Sequence, residues 1–187
     1  MVSKQKIIQQ ALKQGETTGW ERLTLADIAH GLDVKLAEIH HHFAQKDDIV
    51  DAWLDCADQA LLKQAPNPEW TGLSGAERLH KVLWLWLSSM SDYRKVTGEM
   101  LLYKLEPGHV HLQLAGILRI SRTVQWFREA AALQASHLQR IGQELALTKL
   151  FVATFVRWLN DSSNQQQRTY KYLEKRLAAG QRLNLWK

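Results

Sequence analysis

Cysteine is almost missing: Cys56 is the only one in 187 residues. A disulfide framework and a multi-cysteine zinc site are thereby excluded. Proline occurs only at 66, 68 and 107, and no alternating apolar–polar stretch of useful length interrupts the chain, so a strand-rich fold is excluded too. Long apolar runs are also lacking. The longest, Val82 to Leu87 and the neighbourhood of 150–156, fall far short of the roughly 20 residues a membrane span needs. The opening MVSKQKIIQQ has no apolar run of the secretory type, which predicts a cytoplasmic protein. No nucleophile elbow, phosphate-cradling glycine loop or recognisable carboxylate pair is present, so no enzyme activity, catalytic residue or cofactor is expected.

What remains is an ordinary globular mixture, 45% apolar and 23% charged. At this length folding buries roughly 70% of the surface of the unfolded chain, so no metal or disulfide is needed. The net charge of +5 is unevenly spread. Residues 1–63 carry seven Lys/Arg against ten Asp/Glu, a net −3, which leaves +8 on residues 64–187. The basic residues of the later part are scattered at helical spacing and read as a solvated face.

The periodicity predicts an all-α chain. Ser3 caps a first helix over 4–17 with Ile7, Ile8, Ala11 and Leu12 inward. Thr24, with Asp27 three residues on, has the capping-box pattern and opens a short second helix. A third short helix spans 35–43 and a fourth 47–63. The stretch PNPEWTG at 66–72 reads as a linker between a head, 1–63, and a body, 74–187. The body holds five helices, over 75–93, 94–105, 110–132, 136–160 and from 163 or 164 to 179.

Helix 136–160 is apolar on two sides. Leu138, Ile141, Leu145, Val152, Phe155, Val156 and Leu159 form one stripe; Leu147, Leu150, Phe151, Thr154 and Trp158 form the other. A helix apolar on two faces is covered on two faces, and a second copy of the chain is the expected cover for the first stripe. Leu145, Val152, Phe155, Val156 and Leu159, with Tyr170, Leu173 and Leu177 of the last helix, are the expected contacts of a homodimer. The body is also rich in large side chains. Trp84, Trp86, Met90, Met100, Tyr103, Trp126 and Phe127 are the candidate lining of a pocket for a small apolar ligand. Trp84 and Trp86 lie about 200° apart around one helix, so one packs the core while the other lines a cavity or meets a neighbouring helix.

Three histidines in a row, His40, His41 and His42, do not make a metal site: consecutive helical side chains diverge by about 100° and cannot share one ion. The i, i+4 pair of a helical metal motif is absent. His109 and His111 read as surface loop residues, and Cys56, on an apolar stripe, as buried and inert. No metal is expected.

The densest pattern is LTLADIAHGLDVKLAEIHHHFAQKDD at 23–48. A capped helix, a short turn, a second short helix and a further helix opening with lysine make a helix-turn-helix. Ala29 is the small residue at the crossing, Val34 and Ile39 face the module core, and Phe43 closes the end. Thr24, Asp27, Ile28, Ala29, Val34, Ile39, His41, His42, Phe43, Lys46 and Asp47 resemble the TetR family of bacterial transcriptional regulators. That resemblance implies a DNA-reading head on a helical, ligand-binding and dimerising body. It implies that Thr24 and Lys46 touch phosphates, and that Lys35, Leu36, His40 and His41 belong to the recognition helix in the major groove. Asp33 stands where the family's turn usually has glycine, His40 where it usually has tyrosine, and Glu38 puts a carboxylate on the reading helix.

The expected function is a dimeric, ligand-responsive transcriptional regulator, a repressor, whose partners are double-stranded operator DNA, a small apolar ligand and a second copy of itself. The alternative comes from Trp158 to Ser163 with Thr169, Leu173, Arg176 and Leu177. This stretch resembles the end of a family needed for coenzyme Q biosynthesis, which shares the fold and implies a lipid- or isoprenoid-binding protein without a DNA role.

Overall fold

The computed structural model describes residues 2–65, 67–104 and 110–187, with side chains except at 110–115. Among the described residues there are nine α-helices and no strand: α1 (Lys4–Thr18), α2 (Leu25–Gly31), α3 (Leu36–His42), α4 (Lys46–Leu62), α5 (Gly75–Ser88), α6 (Arg94–Lys104), α7 (Val110–Ala130), α8 (His137–Leu159) and α9 (Gln167–Arg182). Short 3-10 turns at Pro68–Trp70, Ser91–Tyr93 and Asn164–Gln166 join some of them. Helix α5 stops at Ser88, and the expected continuation to residue 93 is the second of these turns. Pro66, the end of the expected 94–105 helix at Leu105, and His109 lie outside the described residues.

The chain divides into two compact units. One holds Met1–Cys56 and Met90–Gly116, the other Ala57–Ser89 and Ile117–Lys187. This differs from a division at a 66–72 linker, because α6 goes with the N-terminal helices. The reason is a set of long-range polar bonds. The Val96 N–H donates to the Glu16 carboxylate at 3.0 Å, and the Trp20 N–H to Glu99 at 2.8 Å. Lys104, buried at the end of α6, reaches Asp51 at 2.8 Å and Asp47 at 3.3 Å on α4. Burial pushes the Asp47 carboxyl up, and the Lys104 charge pulls against it. Trp53 adds a bond from its indole N–H to the Thr97 hydroxyl at 2.9 Å.

In the second unit α5 packs on α9 and α8, and α8 on α9. Its centre is aromatic. Trp86 is ringed edge-on by Phe127, Phe151 and Phe155, with centroids 5.2–5.9 Å away. The Trp86 N–H finds the Asp58 carboxylate at 2.7 Å, and Arg119 pairs with the other oxygen at 2.8 Å. Burying groups this polar is costly unless they find such partners. Trp84 turns the other way and meets Tyr170 of α9 edge-on at 4.9 Å. Near the chain's end Trp186 is buried, its N–H bonded to the Leu177 carbonyl at 3.0 Å. A Cβ at Gly75 or Gly180 would collide with it, so both positions need glycine for this close approach.

Asp161 organises the turn from α8 to α9. It accepts from the Ser163 N–H and hydroxyl at 2.9 and 2.6 Å and from the Thr169 N–H and hydroxyl at 2.7 and 2.6 Å. Burial works against its charge, but these bonds prevail and hold the carboxyl well below the usual carboxylate range. A folded-state value below the unfolded one gives stability that is fully present above the ordinary Asp value near 4 and lost as pH falls through the folded one. Asp161→Asn is expected to cost about 2 kcal/mol at neutral pH. The gap to wild type should close progressively in urea titrations run at falling pH below about 4.

Candidate nucleic-acid interface

The helix-turn-helix starts from the capping box foreseen in the sequence. The Asp27 N–H donates to the Thr24 hydroxyl at 3.1 Å, while the Thr24 N–H and hydroxyl donate to Asp27 at 2.9 and 2.6 Å. These bonds from Thr24 keep the Asp27 carboxyl below its ordinary value. Ala29 is buried at the end of α2, which packs on α3. The turn between them is tied by the Val34 N–H to the Ala29 carbonyl at 3.0 Å. Asp33 sits at φ 52°, the left-handed conformation that asparagine and aspartate tolerate better than other non-glycine residues. The missing glycine is therefore no obstacle to this turn.

Helix α3 is sorted by burial. Ile39 and the following Phe43 are in the core. His42 is half-buried, and its Nε2 donates to the Val2 carbonyl at 2.8 Å. Lys35, the N-cap, and Leu36, Ala37, His40 and His41 are exposed, while Glu38 is half-buried. Four of the residues expected on the recognition helix, Lys35, Leu36, His40 and His41, are thus on one solvent-facing element. Thr24 is also exposed.

Lys46 has a different place from the one expected. Its ammonium donates to the carbonyls of Trp20, Glu21 and Leu23 at 2.9, 3.1 and 3.0 Å. It also lies 4.7 Å from the centre of the Tyr103 ring and 5.4 Å from that of Trp20. A lysine has three protons to give, and here all three are engaged inside the unit. Burial lowers its pKa. This group pins the start of α4 to the segment that leads into α2. Sequence spacing does not show a bond across more than 20 residues.

The acidic balance of the head is less hostile to DNA than its sum. Asp47 and Asp51 face Lys104, Glu16 accepts from α6, Asp27 closes the capping box, and Asp48 caps α4 through the Gln45 N–H. Glu38 is the one carboxylate on α3.

The other candidate residues separate. Met90, Met100 and Tyr103 belong to the first unit, Trp84, Trp86, Trp126 and Phe127 to the second. Met90, Met100, Trp86 and Phe127 are fully buried core, and Trp126 is exposed. A shallow cavity of about 300 Å³ in the second unit is lined by Asn67, Trp70, Thr71, Gly72, Arg78, Ala130, Ala132 and Gln134, none of them in the expected set. Of the expected dimer contacts, Phe155, Leu173 and Leu177 are buried in the protomer's own core, and Tyr170 is half-buried beside Trp84. Leu145, Val152 and Val156 are exposed. Leu159 is half-buried. Cys56 is half-buried rather than enclosed. No group of three metal-ligating side chains occurs among the described residues, and no described helix is long and apolar enough to cross a membrane.

Residues 7–53 match the family model for bacterial regulatory proteins of the tetR family. A TetR transcriptional regulator from Nitrosomonas europaea is 38% identical, over 94% of this chain and 96% of that one, with a TM-score of 0.83. The chain belongs to the TetR family. A TetR transcriptional regulator from Rhodococcus sp. RHA1 shares the fold at 15% identity and a TM-score of 0.67, over 93% and 92% of the two chains. So does Thermus thermophilus FadR, a TetR-family repressor in complex with lauroyl-CoA, at 16% identity and 0.52, over 97% and 92%. No curated protein matches significantly. The TetR-family assignment makes the chain a DNA-binding transcriptional regulator, and its helix-turn-helix is the DNA-reading element.

Two substitutions test the electrostatics of this head. Lys46→Met is expected to lower stability by about 2 kcal/mol, from the loss of charge-assisted bonds, and to weaken binding to every duplex alike. Thermal unfolding and anisotropy on two unrelated sequences check both effects. Glu38→Lys is expected to tighten binding to a scrambled duplex and to steepen its salt dependence by about one phosphate's worth.

Proposed function

We propose that this TetR-family protein is a homodimeric, ligand-responsive repressor. The observation that carries the dimer is the uncovered apolar stripe of α8. Leu138 is 83% exposed, Leu145 60% and Val156 55%, with Ile141 and Val152 also open. They recur at helical spacing along one side. Gly142 lies among them with nothing within 4 Å of a Cβ placed on it, which allows a second helix to come close. An apolar row of this length is more than the scattered exposed leucine normal on a monomer. A two-fold pairing of α8 with its copy covers it and carries two recognition helices on one assembly.

Such a dimer reads two half-sites about 34–36 Å apart, one helical turn of DNA. Thr24 and the basic and imidazole groups of α3 would hold the backbone and base edges. A ligand releases the DNA only by binding the released state better than the bound one. FadR with its lauroyl-CoA is the precedent for a ligand in this fold. In this chain Trp86, Phe127, Phe151 and Phe155 are closed on each other, so an apolar ligand among them works by prising that cluster open.

The test is anisotropy on duplexes from the gene's upstream region and from scrambled controls, from low to physiological salt, with Leu145→Asp beside the wild type. Sequence-preferring binding that survives physiological salt is expected. Leu145→Asp should sediment as a folded monomer and lose at least tenfold in affinity. A folded wild-type dimer that prefers no duplex, unrelated promoters included, would shift the reading to a lipid- or isoprenoid-binding protein of the same fold.

A further inference from the structure

The exposed face of α3 is made of two short rows. Residues four apart share a helix face, so Leu36 stands over His40 and Ala37 over His41; all four are exposed. Leu36 is 51% exposed, although Ile39 and Phe43 beside it are drawn fully into the core. A lone exposed leucine needs no explanation. Leucine in the first turn of a helix that enters the major groove is different, because the side chains there meet base edges.

The side chains that read bases by paired hydrogen bonds are arginine or lysine for guanine and asparagine or glutamine for adenine. Leu36, Ala37 and Glu38, the first turn of α3, contain none of these, and Lys35 is the one cation, at the N-cap. Glu38 could accept from a cytosine amino group but is half-buried, and the exposed side chains of this turn, Leu36 and Ala37, are apolar. The one apolar group on the floor of the major groove is the C5 methyl of thymine. His40 lies four residues on, about 6 Å along the axis, and its imidazole offers an N–H to an acceptor about two base pairs away.

We propose that Leu36 reads a thymine methyl in each half-site and is a specificity-determining residue of this regulator. The inference rests on the proposed DNA-binding dimer and adds to it the chemistry of the base contact. Leu36 would close over the methyl and exclude water from it, with Ala37 leaving room for the base pair to approach.

The experiment has two stages. Wild-type protein first selects duplexes from a randomised library at physiological salt. Each thymine of the enriched site is then replaced by deoxyuridine, which keeps the pairing and removes only the methyl, and binding is followed by anisotropy for wild type and Leu36→Ala. One thymine per half-site is expected to respond, with a loss of about fourfold for each, the fold-change that burial of one methyl carries. Leu36→Ala should bind thymine and uracil versions equally while still unfolding like the wild type. An enriched site in which no thymine responds to uracil overturns the inference and leaves the repressor reading standing. So does a Leu36→Ala variant that distinguishes the two bases as well as wild type does. Enrichment of nothing by folded protein removes the repressor reading, and this inference with it.

Discussion

The position of the reading helix depends on one ammonium group. Lys46 joins the first residue of α4 to the carbonyls of Trp20, Glu21 and Leu23 ahead of α2, at 2.9–3.1 Å, over the faces of two aromatic rings. Helices α2 and α3 have seven residues each, too few to be stable alone in water. Their geometry is held by what surrounds them: the capping box before α2, the buried Ile28 and Ile39, and the fixed entry to α4. A helix that must place side chains against base edges tolerates little rotation, and this bond removes the rotation at its source.

The same economy governs charge. A net −3 over the head would oppose a polyanion if it were spread over the reading face. The bonding pattern instead draws acids into structural work, at the start of α2, at the start of α4 and against Lys104. The reading helix retains a single half-buried carboxylate. What it lacks is a surplus of cations, and that shifts the weight of recognition from phosphates toward the base edges.

Much of the fold was legible in the sequence, because helix caps and apolar periodicity are local. Ser3, the Thr24–Asp27 box and the buried row of α8 are all where their spacing puts them. Asp33 kept the turn in place of glycine, as its tolerance of positive φ implies. What local spacing does not show is the long-range packing. Phe155, Leu173 and Leu177 carry the same apolar pattern as Leu145 and Val156, and only tertiary packing decides which row meets the protomer's own helices. The grouping of α6 with the head is invisible to local spacing, because Glu16 and Val96, or Asp51 and Lys104, are too far apart in sequence to suggest each other.

The burial of Trp186 has a consequence for synthesis. It fills the space left by Gly75 and Gly180 and bonds to Leu177, so the core of the second unit lacks one of its large side chains until residue 186 has left the ribosome. That unit begins at Ala57. At 5–20 residues per second the interval is on the order of ten seconds. Through that time the second unit lacks the side chain that closes the space between Gly75 and Gly180.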